Sequence, residues 1–281
     1  MKPDRPTSQP EAALPDAARI GAYYDQRMRE IGGEYIHRRW GDSAVKRRHY
    51  GQTRVALLAA LERVPRFDEV LEVGCGPAVW TELYLPRARR VELFDVSEEM
   101  LAAARQRVEG WESGRFASRV TYRRGDAARA DLGRHQFDAV LSMRAFEYLS
   151  DKPGFLLRCQ SALRPGGWLV LGTKNGRWYD MVRDRRRQAR RGDRPPPIQD
   201  AMQADLVDPD SLRRLVRGAG LVVHGVFPLV VGSYHQPFTW RLGLAFCDAL
   251  HRHLHRRPAG ALITPLMESM VVVAERPAGA G

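Results

Sequence analysis

Cysteine is scarce in this chain: Cys75, Cys159 and Cys247 lie far apart and make no Cys-x-x-Cys pair. That spacing argues against a disulfide framework or a structural zinc site and suits a reducing compartment. Long apolar runs are missing as well. The longest, residues 221–232, is interrupted by His224 and Pro228 and falls short of the roughly 18–20 residues that span a bilayer. The first residues carry Lys2, Asp4, Arg5 and Glu11 with no apolar stretch, which is not the pattern of a secretory signal. A cytoplasmic protein is expected. Lysine is also rare, at positions 2, 46, 152 and 174 only, so arginine supplies almost all of the positive charge behind a net +12. Genomic base composition alone accounts for such a bias. The functional alternatives are an acidic partner: a phosphorylated or carboxylated substrate, an anionic membrane surface, or RNA.

What is present is a core-forming composition, 44% hydrophobic over 281 residues, laid out in a recognisable order. Residues 1–16, rich in Pro and Ala without periodicity, are expected to be a disordered tail. Residues 17–66 read as an N-terminal helical cap. Ala56, Leu57, Ala60, Leu61 and Val64 make one helical stripe, stopped by Pro65. From 67 to 276 strands and helices alternate. Strands are expected at 70–73, 90–95, 120–123, 137–142, 168–172, 221–226 and 270–274. Helices are expected from 81, at 98–108, 154–163, 211–219 and 239–255. Residues 174–205 and 228–268 read as substrate-side insertions, and 277–281 as a tail. Alternation of this kind argues for a parallel α/β sheet that binds ligands beyond the carboxyl ends of its strands.

The chemistry concentrates in one segment, Val70-Leu71-Glu72-Val73-Gly74-Cys75-Gly76-Pro77-Ala78, at a strand-to-helix turn. Glycines there let backbone approach a ligand. Glu72 sits where a pyrophosphate would be repelled, so a cationic ligand group such as an α-amine suits the turn better. Asp95 ends the next strand about 20 residues on, the place for a carboxylate that accepts ribose hydroxyls. Gly125-Asp126-Ala127 follows the third strand, and Ser142-Met143-Arg144-Ala145-Phe146-Glu147-Tyr148-Leu149 the fourth. Leu163-Arg164-Pro165-Gly166-Gly167 precedes the fifth.

In this order the segments resemble the class I S-adenosylmethionine (SAM)-dependent methyltransferases over residues 67–174. "LEVGCGPA" is similar to their first motif, "VELFDVSEEML" to the second, "GDA" to the third, "FDAVLSMRAFEYL" to the fourth and "LRPGGWLVLGT" to the fifth. The resemblance implies a Rossmann-like, mostly parallel seven-stranded sheet with a reversed last strand, helices on both faces and lid segments. It implies SAM as cofactor, S-adenosylhomocysteine as product and no metal. Glu72, Gly74, Cys75 and Gly76 would hold the methionyl part, Asp95 the ribose and Asp126 the adenine amine. Val96 and Ala127 would flank the ring, and Met143 would line the pocket near the sulfonium. Ala78 departs from the motif's third glycine, and Tyr148 stands where many members carry histidine, so a histidine's acid–base role does not carry over.

The acceptor side is read from the residues that surround this frame. His235 in the 233–237 loop is the first candidate base, because histidine titrates near pH 6.5. Glu147 is the second, with pairing to Arg144 as its plainer explanation. Tyr24, Tyr148, Lys174 and Tyr179 are candidates for contact with the acceptor. Tyr23, Tyr24, Trp40 and Tyr50 could form an aromatic lid, and His37 and His49 are expected to be solvated. The 183–194 arginine run would clamp an anion or simply be a solvated loop. The 240–257 stretch, with Leu242, Phe246, Leu250 and Leu254 on one face, reads as a helix packed on the domain, in a homodimer interface or on a membrane surface. The expected activity is methyl transfer to a small molecule, acidic or lipid-like, in specialised metabolism. An RNA methyltransferase and a non-catalytic SAM-fold scaffold are the alternatives. Against RNA stand the absence of a D/N-P-P-Y/F motif, of a Pro-Cys pair and of an appended RNA-binding module, so no stable nucleic-acid partner is expected.

Overall fold

The computed structural model of the chain describes residues 17–179, 181–182, 206–232 and 241–279, the side chains of 241–244 excepted. Apolar strand residues with no polar alternation must be covered on both faces. Strands β1 (Glu69–Val73), β4 (Phe137–Met143) and β5 (Leu163–Lys174) are of this kind. With β2 (Arg90–Asp95), β3 (Val120–Arg124), β6 (Val222–Val231) and β7 (Met267–Glu275) they form one sheet in the order β3-β2-β1-β4-β5-β7-β6. All pairings are parallel except those of β7, which runs antiparallel between β5 and β6. The strand order reverses between β1 and β4, which opens a crevice at their carboxyl ends.

Helices cover both faces. On one side α2 (Ala44–Leu61) and α3 (Glu98–Gly110) bury Leu57, Leu61, Leu101 and Val108 against Val70, Leu93, Leu141 and Val273. On the other, α4 (Lys152–Ala162) and α5 (Pro209–Gly218) bury Phe155, Leu156, Leu212 and Val216 against Leu71, Val140, Leu171 and Val272. Each start is capped by a side-chain oxygen: Ser43 for α2, Ser97 for α3, Asp151 for α4 and Asp208 for α5. Losing any one cap costs about 1 kcal/mol.

The seven-stranded Rossmann-like sheet is as the sequence implied, with several local differences. No α-helix forms from residue 81. Two 3-10 turns, Thr81–Leu83 and Leu85–Arg87, take its place, because Pro86 offers no N–H and its ring collides with a helical carbonyl. β6 runs to Val231 rather than 226. Its end is held by α2, where Gln52 Oε1 accepts from the Val231 N–H at 2.9 Å and Arg48 Nη2 donates to the Val231 carbonyl at 2.8 Å. The helical segment 17–66 also divides in two: most of α2 belongs to the sheet's own core, whereas α1 (Ala17–Ile31), Tyr35, the π-turn His37–Gly41 and Lys46 at the start of α2 lie over the crevice.

The last helix, α6 (Arg241–Leu254), docks through polar residues as well as half-buried Leu250 and Leu254. Asp248 accepts from Arg48 Nε at 2.6 Å and Gln52 Nε2 at 2.7 Å, and His251 Nε2 donates to the Leu229 carbonyl at 3.0 Å. Phe246, expected on the packed face, is 64% exposed. Among the described residues no helix is long and apolar enough to cross a membrane.

Candidate active site

The turn after β1 sets the floor of the site. Gly74 and Gly76 both take positive φ, 70° and 52°. At Gly74 a Cβ would fall 2.2 Å from Ala145 Cβ, so glycine there permits both the turn and the approach of the loop after β4. Ala78, at the motif's usual glycine, is held in the same left-handed region at φ 55° and fully buried. Fixing an alanine so costs roughly 1–2 kcal/mol, which the surrounding packing offsets.

Above this turn lies a cavity of about 960 Å³, at the upper end of the size of single-ligand pockets. Of the residues assigned to cofactor contact, Gly74, Cys75 and Gly76 form its floor, and Asp95, Val96, Asp126, Ala127 and Met143 its walls. Asp95 is only 8% exposed. Its Oδ2 accepts from the Gly76 N–H at 2.8 Å and its Oδ1 from the Ser97 N–H at 3.0 Å. Each oxygen keeps lone-pair capacity for a ligand hydroxyl. Burial raises the Asp95 pKa above the usual carboxylate value, and the two backbone donors oppose that shift. Asp126 Oδ1 accepts from the Ala128 N–H at 2.8 Å. Burial likewise pushes the Cys75 thiol up, which rules it out as a thiolate nucleophile.

Glu72 differs from the other residues assigned to cofactor contact. It is completely buried and does not line the cavity. Its Oε2 accepts from Thr81 Oγ1 at 2.6 Å and from Tyr84 OH at 2.5 Å, so the carboxylate fastens the 3-10 segment behind the glycine turn. Burial raises its pKa to about 7, against those two donors. Its Oε1 is buried without a hydrogen-bond partner, an acceptor position still open to a ligand amine. Glu72 positions the turn.

α1 covers the site because Gly21 has no side chain: a Cβ there would stand 3.1 Å from the Val96 carbonyl oxygen. Asp25 secures the helix, its Oδ1 accepting from Ser97 Oγ at 2.5 Å and from the Glu99 N–H at 3.2 Å. This brings Tyr24 onto the cavity, where its hydroxyl meets that of Tyr148 and the rings pack edge to face with centroids 5.8 Å apart. Burial, the neighbouring phenol and Glu147 raise the Tyr24 pKa further, and burial first and Glu147 second push Tyr148 up to about 12. Both therefore stand as neutral hydroxyls that donate or accept, not as phenolates.

Beside them lies a buried ionic cluster. Arg144, at φ 66°, has its Nε 2.9 Å from Glu147 Oε1 and its Nη1 3.6 Å from Glu268 Oε1. Thr173 Oγ1 donates to Glu147 Oε2 at 3.2 Å and Ser269 Oγ to Glu268 Oε2 at 3.2 Å. Although burial favours protonation of Glu268, Arg144, His49 and Lys174 together hold its pKa below the ordinary value. Glu147 lines the cavity, with each of its oxygens accepting one hydrogen bond. His49 was expected in solvent but is 2% exposed, with Nδ1 3.8 Å from Glu268 Oε2, and burial lowers its pKa to about 4. Lys174 lines the cavity. Tyr179 does not: it is 49% exposed, and the neighbouring Trp178 is the buried residue on the cavity wall. Trp178 is fixed by its Nε1–H donating to the Gly232 carbonyl at 2.8 Å.

Of the aromatic lid, Tyr24 and Trp40 reach the cavity, whereas Tyr50 stacks on Trp80 and Tyr23 faces outward. The candidate base His235 and the 183–194 arginine run lie outside the described residues. Among the described residues no three His, Cys, Asp or Glu side chains gather as a metal site would need. Sequence reading missed Trp178, Glu268 and Arg39 on this wall. Nothing local marks Glu268, which stands in a strand next to apolar neighbours.

Comparison with known proteins agrees with the geometry. Residues 70–167 match the family described as a methyltransferase domain. A ubiquinone biosynthesis O-methyltransferase of Caulobacter sp. (strain K31) is 30% identical over 189 residues, 64% of this chain and 68% of that protein. One of the same name from Bradyrhizobium sp. (strain ORS 278) is 33% identical over 113 residues, 40% of this chain and only 42% of the relative's own length. The geranyl diphosphate C-methyltransferase structure from Streptomyces coelicolor A3(2) superposes with a TM-score of 0.58 at 16% identity, covering 95% of this chain and 100% of that one, a likeness of fold. The chain belongs to the class I SAM-dependent methyltransferases.

Proposed function

We propose that this protein transfers a methyl group from SAM to a small-molecule acceptor held under α1. The observation that carries it is the continuity of one cavity from Asp95 and the glycine turn to Tyr24, Tyr148 and Lys174. The first end fits the cofactor. Asp95 is oriented by two backbone amides and keeps acceptor capacity for the ribose hydroxyls, Asp126 stands for the adenine amine, and Val96 and Ala127 flank the space between. When bound, SAM supplies an electrophilic methyl on its sulfonium.

The chain's own part is orientation. α1 and the π-turn enclose the acceptor end, the Tyr24–Tyr148 hydroxyl pair can donate to or accept from an acceptor atom, and the Arg144 cluster keeps that wall fixed. Bringing two reactants together in line is worth roughly 7–11 kcal/mol, and a base is required only for an acceptor that must lose a proton. His235 stays a candidate for that base. Oxygen is the accepting atom favoured by the relatives' names, and a lipid-like or specialised metabolite suits the apolar walls of Trp40, Trp80 and Trp178. The scaffold alternative is disfavoured, since Asp95 and Asp126 both face the cavity.

Calorimetric titration with S-adenosylhomocysteine tests the proposal. Saturation at one site per chain is expected. A folded protein that fails to bind it would overturn the enzyme reading.

A further inference from the structure

The acceptor end of the cavity carries more positive charge than the protein neutralises. Arg144, Lys174 and Arg39 all line it, against the carboxylates Glu147 and Glu268. Both carboxylates are committed to Arg144. Lys46, also on the wall, is cancelled by Asp42 at 2.8 Å. His49, packed against Glu268, is neutral at physiological pH.

Three cations face two carboxylates there, which leaves one positive charge in excess. The Lys174 ammonium makes no hydrogen bond and no ion pair among the described residues, and neither does the Arg39 guanidinium, which rests over the Trp40 ring at 4.3 Å from its centroid. Elsewhere arginines such as Arg48, Arg123 and Arg164 lie within 2.5–2.9 Å of a carboxylate. Glu268 and Glu147 attract the Lys174 ammonium without an ion-pair contact, but they also serve Arg144, so the positive excess at this wall is unfavourable unless something in the cavity compensates it. Burial first and Arg144 second lower the Lys174 pKa, the expected mark of that imbalance.

We infer that the acceptor, within the methyltransferase function proposed above, carries an anionic group, a carboxylate or a phosphate, which is received by Lys174 and Arg39. Arginine offers a planar fork that matches either group and lysine a compact point charge, a pairing suited to holding one end of a molecule. The group to be methylated then lies at the other end of the acceptor, near Met143 and the Tyr24–Tyr148 pair. Lys174 and Arg39 are binding residues in this scheme and take no proton from the acceptor.

The small number of lysines makes the inference directly testable. With lysine isotope-labelled at Cε, the chain gives only four lysine signals, and Lys174→Met assigns the one of interest. The protein, saturated with S-adenosylhomocysteine, is titrated in turn with benzoate, phenyl phosphate and the neutral benzamide. The Lys174 signal should move saturably with benzoate, phenyl phosphate or both, and not with benzamide. Which anion acts separates carboxylate from phosphate. Arg39→Met should raise the half-saturating anion concentration by about tenfold or more, as loss of a charge-assisted hydrogen bond would. A Lys174 signal that ignores both anions, or answers benzamide equally, would overturn the inference while leaving the methyltransferase reading intact. Failure of S-adenosylhomocysteine to bind at all would remove the reading on which it rests.

Discussion

The two ends of the cavity are built in opposite ways. The cofactor end is made by short-range rules: each residue sits at the carboxyl end of its own strand or in the turn after it, and each polar contact reaches a backbone group close by in the fold. Asp95 holds the N–H of Gly76 and Ser97, and Asp126 that of Ala128. The acceptor end is assembled from side chains far apart in sequence. Tyr24 meets Tyr148 across 124 positions, and Arg144 and His49 both converge on Glu268. Backbone-anchored sites tolerate change around them, because the strand ends fix them. A cluster of mutually dependent charges tolerates little, because each member is buried on the others' account. Substitutions at the two ends should therefore fail differently: ligand binding goes first at one, stability first at the other.

The largest effect is expected at the cofactor end. Asp95→Ala removes the proposed acceptor for two ribose hydroxyls, and charge-assisted bonds of about 1.5–3 kcal/mol each make the expected loss at least about a hundredfold in S-adenosylhomocysteine affinity. Asp95→Asn keeps one acceptor oxygen and should fall between. Calorimetry measures both, and thermal unfolding should show a folded protein in each case. If Asp95→Ala binds normally, the carboxylate is structural, and the two ends of the cavity do not divide the labour as described.

This difference in construction also decides what was legible beforehand. Seven strands could be read because each motif is contiguous and its spacing repeats the geometry of a strand and its following turn, whereas the reversed last strand came only from the family resemblance. Glu72 shows the limit. The segment gave the residue type and position but not the side on which the carboxylate lies, since that depends on Thr81 and Tyr84 in a stretch where Pro86 prevents the expected helix. At the acceptor end the limit is more severe. Tyr179 was expected on the cavity and Trp178 is there instead, a slip of one residue in a segment without periodicity. His49 looks like a surface residue of a basic helix until β7 brings Glu268 beneath it. The outward face of α6 failed for the same reason, because Asp248 and His251 dock to Arg48, Gln52 and a carbonyl of β6 that no local pattern connects to them.

The second effect belongs to the acceptor end. Arg144→Met strands two buried carboxylates, and breaking a buried ionic cluster in this way costs about 3–5 kcal/mol. Urea unfolding should record that loss, whereas S-adenosylhomocysteine affinity should change much less than in Asp95→Ala. Adding Glu147→Gln and Glu268→Gln to Arg144→Met removes the stranded charges and should restore most of the stability. A single variant as stable as the parent would show that the cluster is already solvated, and the contrast between the ends would lose its energetic basis.

The third expected effect is a pH dependence in which buried Glu72 and two buried histidines oppose each other. Glu72 titrates at about 7 when folded, against an ordinary 4.5. Between those values the folded state holds a proton that the unfolded chain has released, so stability falls as pH rises through that window. His49, at about 4 when folded against 6.5, does the reverse: the unfolded chain holds the proton, and stability rises as pH climbs from about 4 to 6.5. His251, also near 4 through burial, adds to the second trend. Glu72→Gln isolates the first. Its side-chain oxygen can still accept from Thr81 and Tyr84, but it cannot ionise. Relative to the parent the variant should therefore gain stability from about pH 5 to about pH 7.5. The gain should reach roughly 3 kcal/mol, because holding one proton through each pH unit of that window is worth about 1.4 kcal/mol. Urea unfolding across that range measures the difference. A difference that stays constant with pH would mean that Glu72 is ionised throughout, and that burial does not hold a proton on the side chain that fastens the turn.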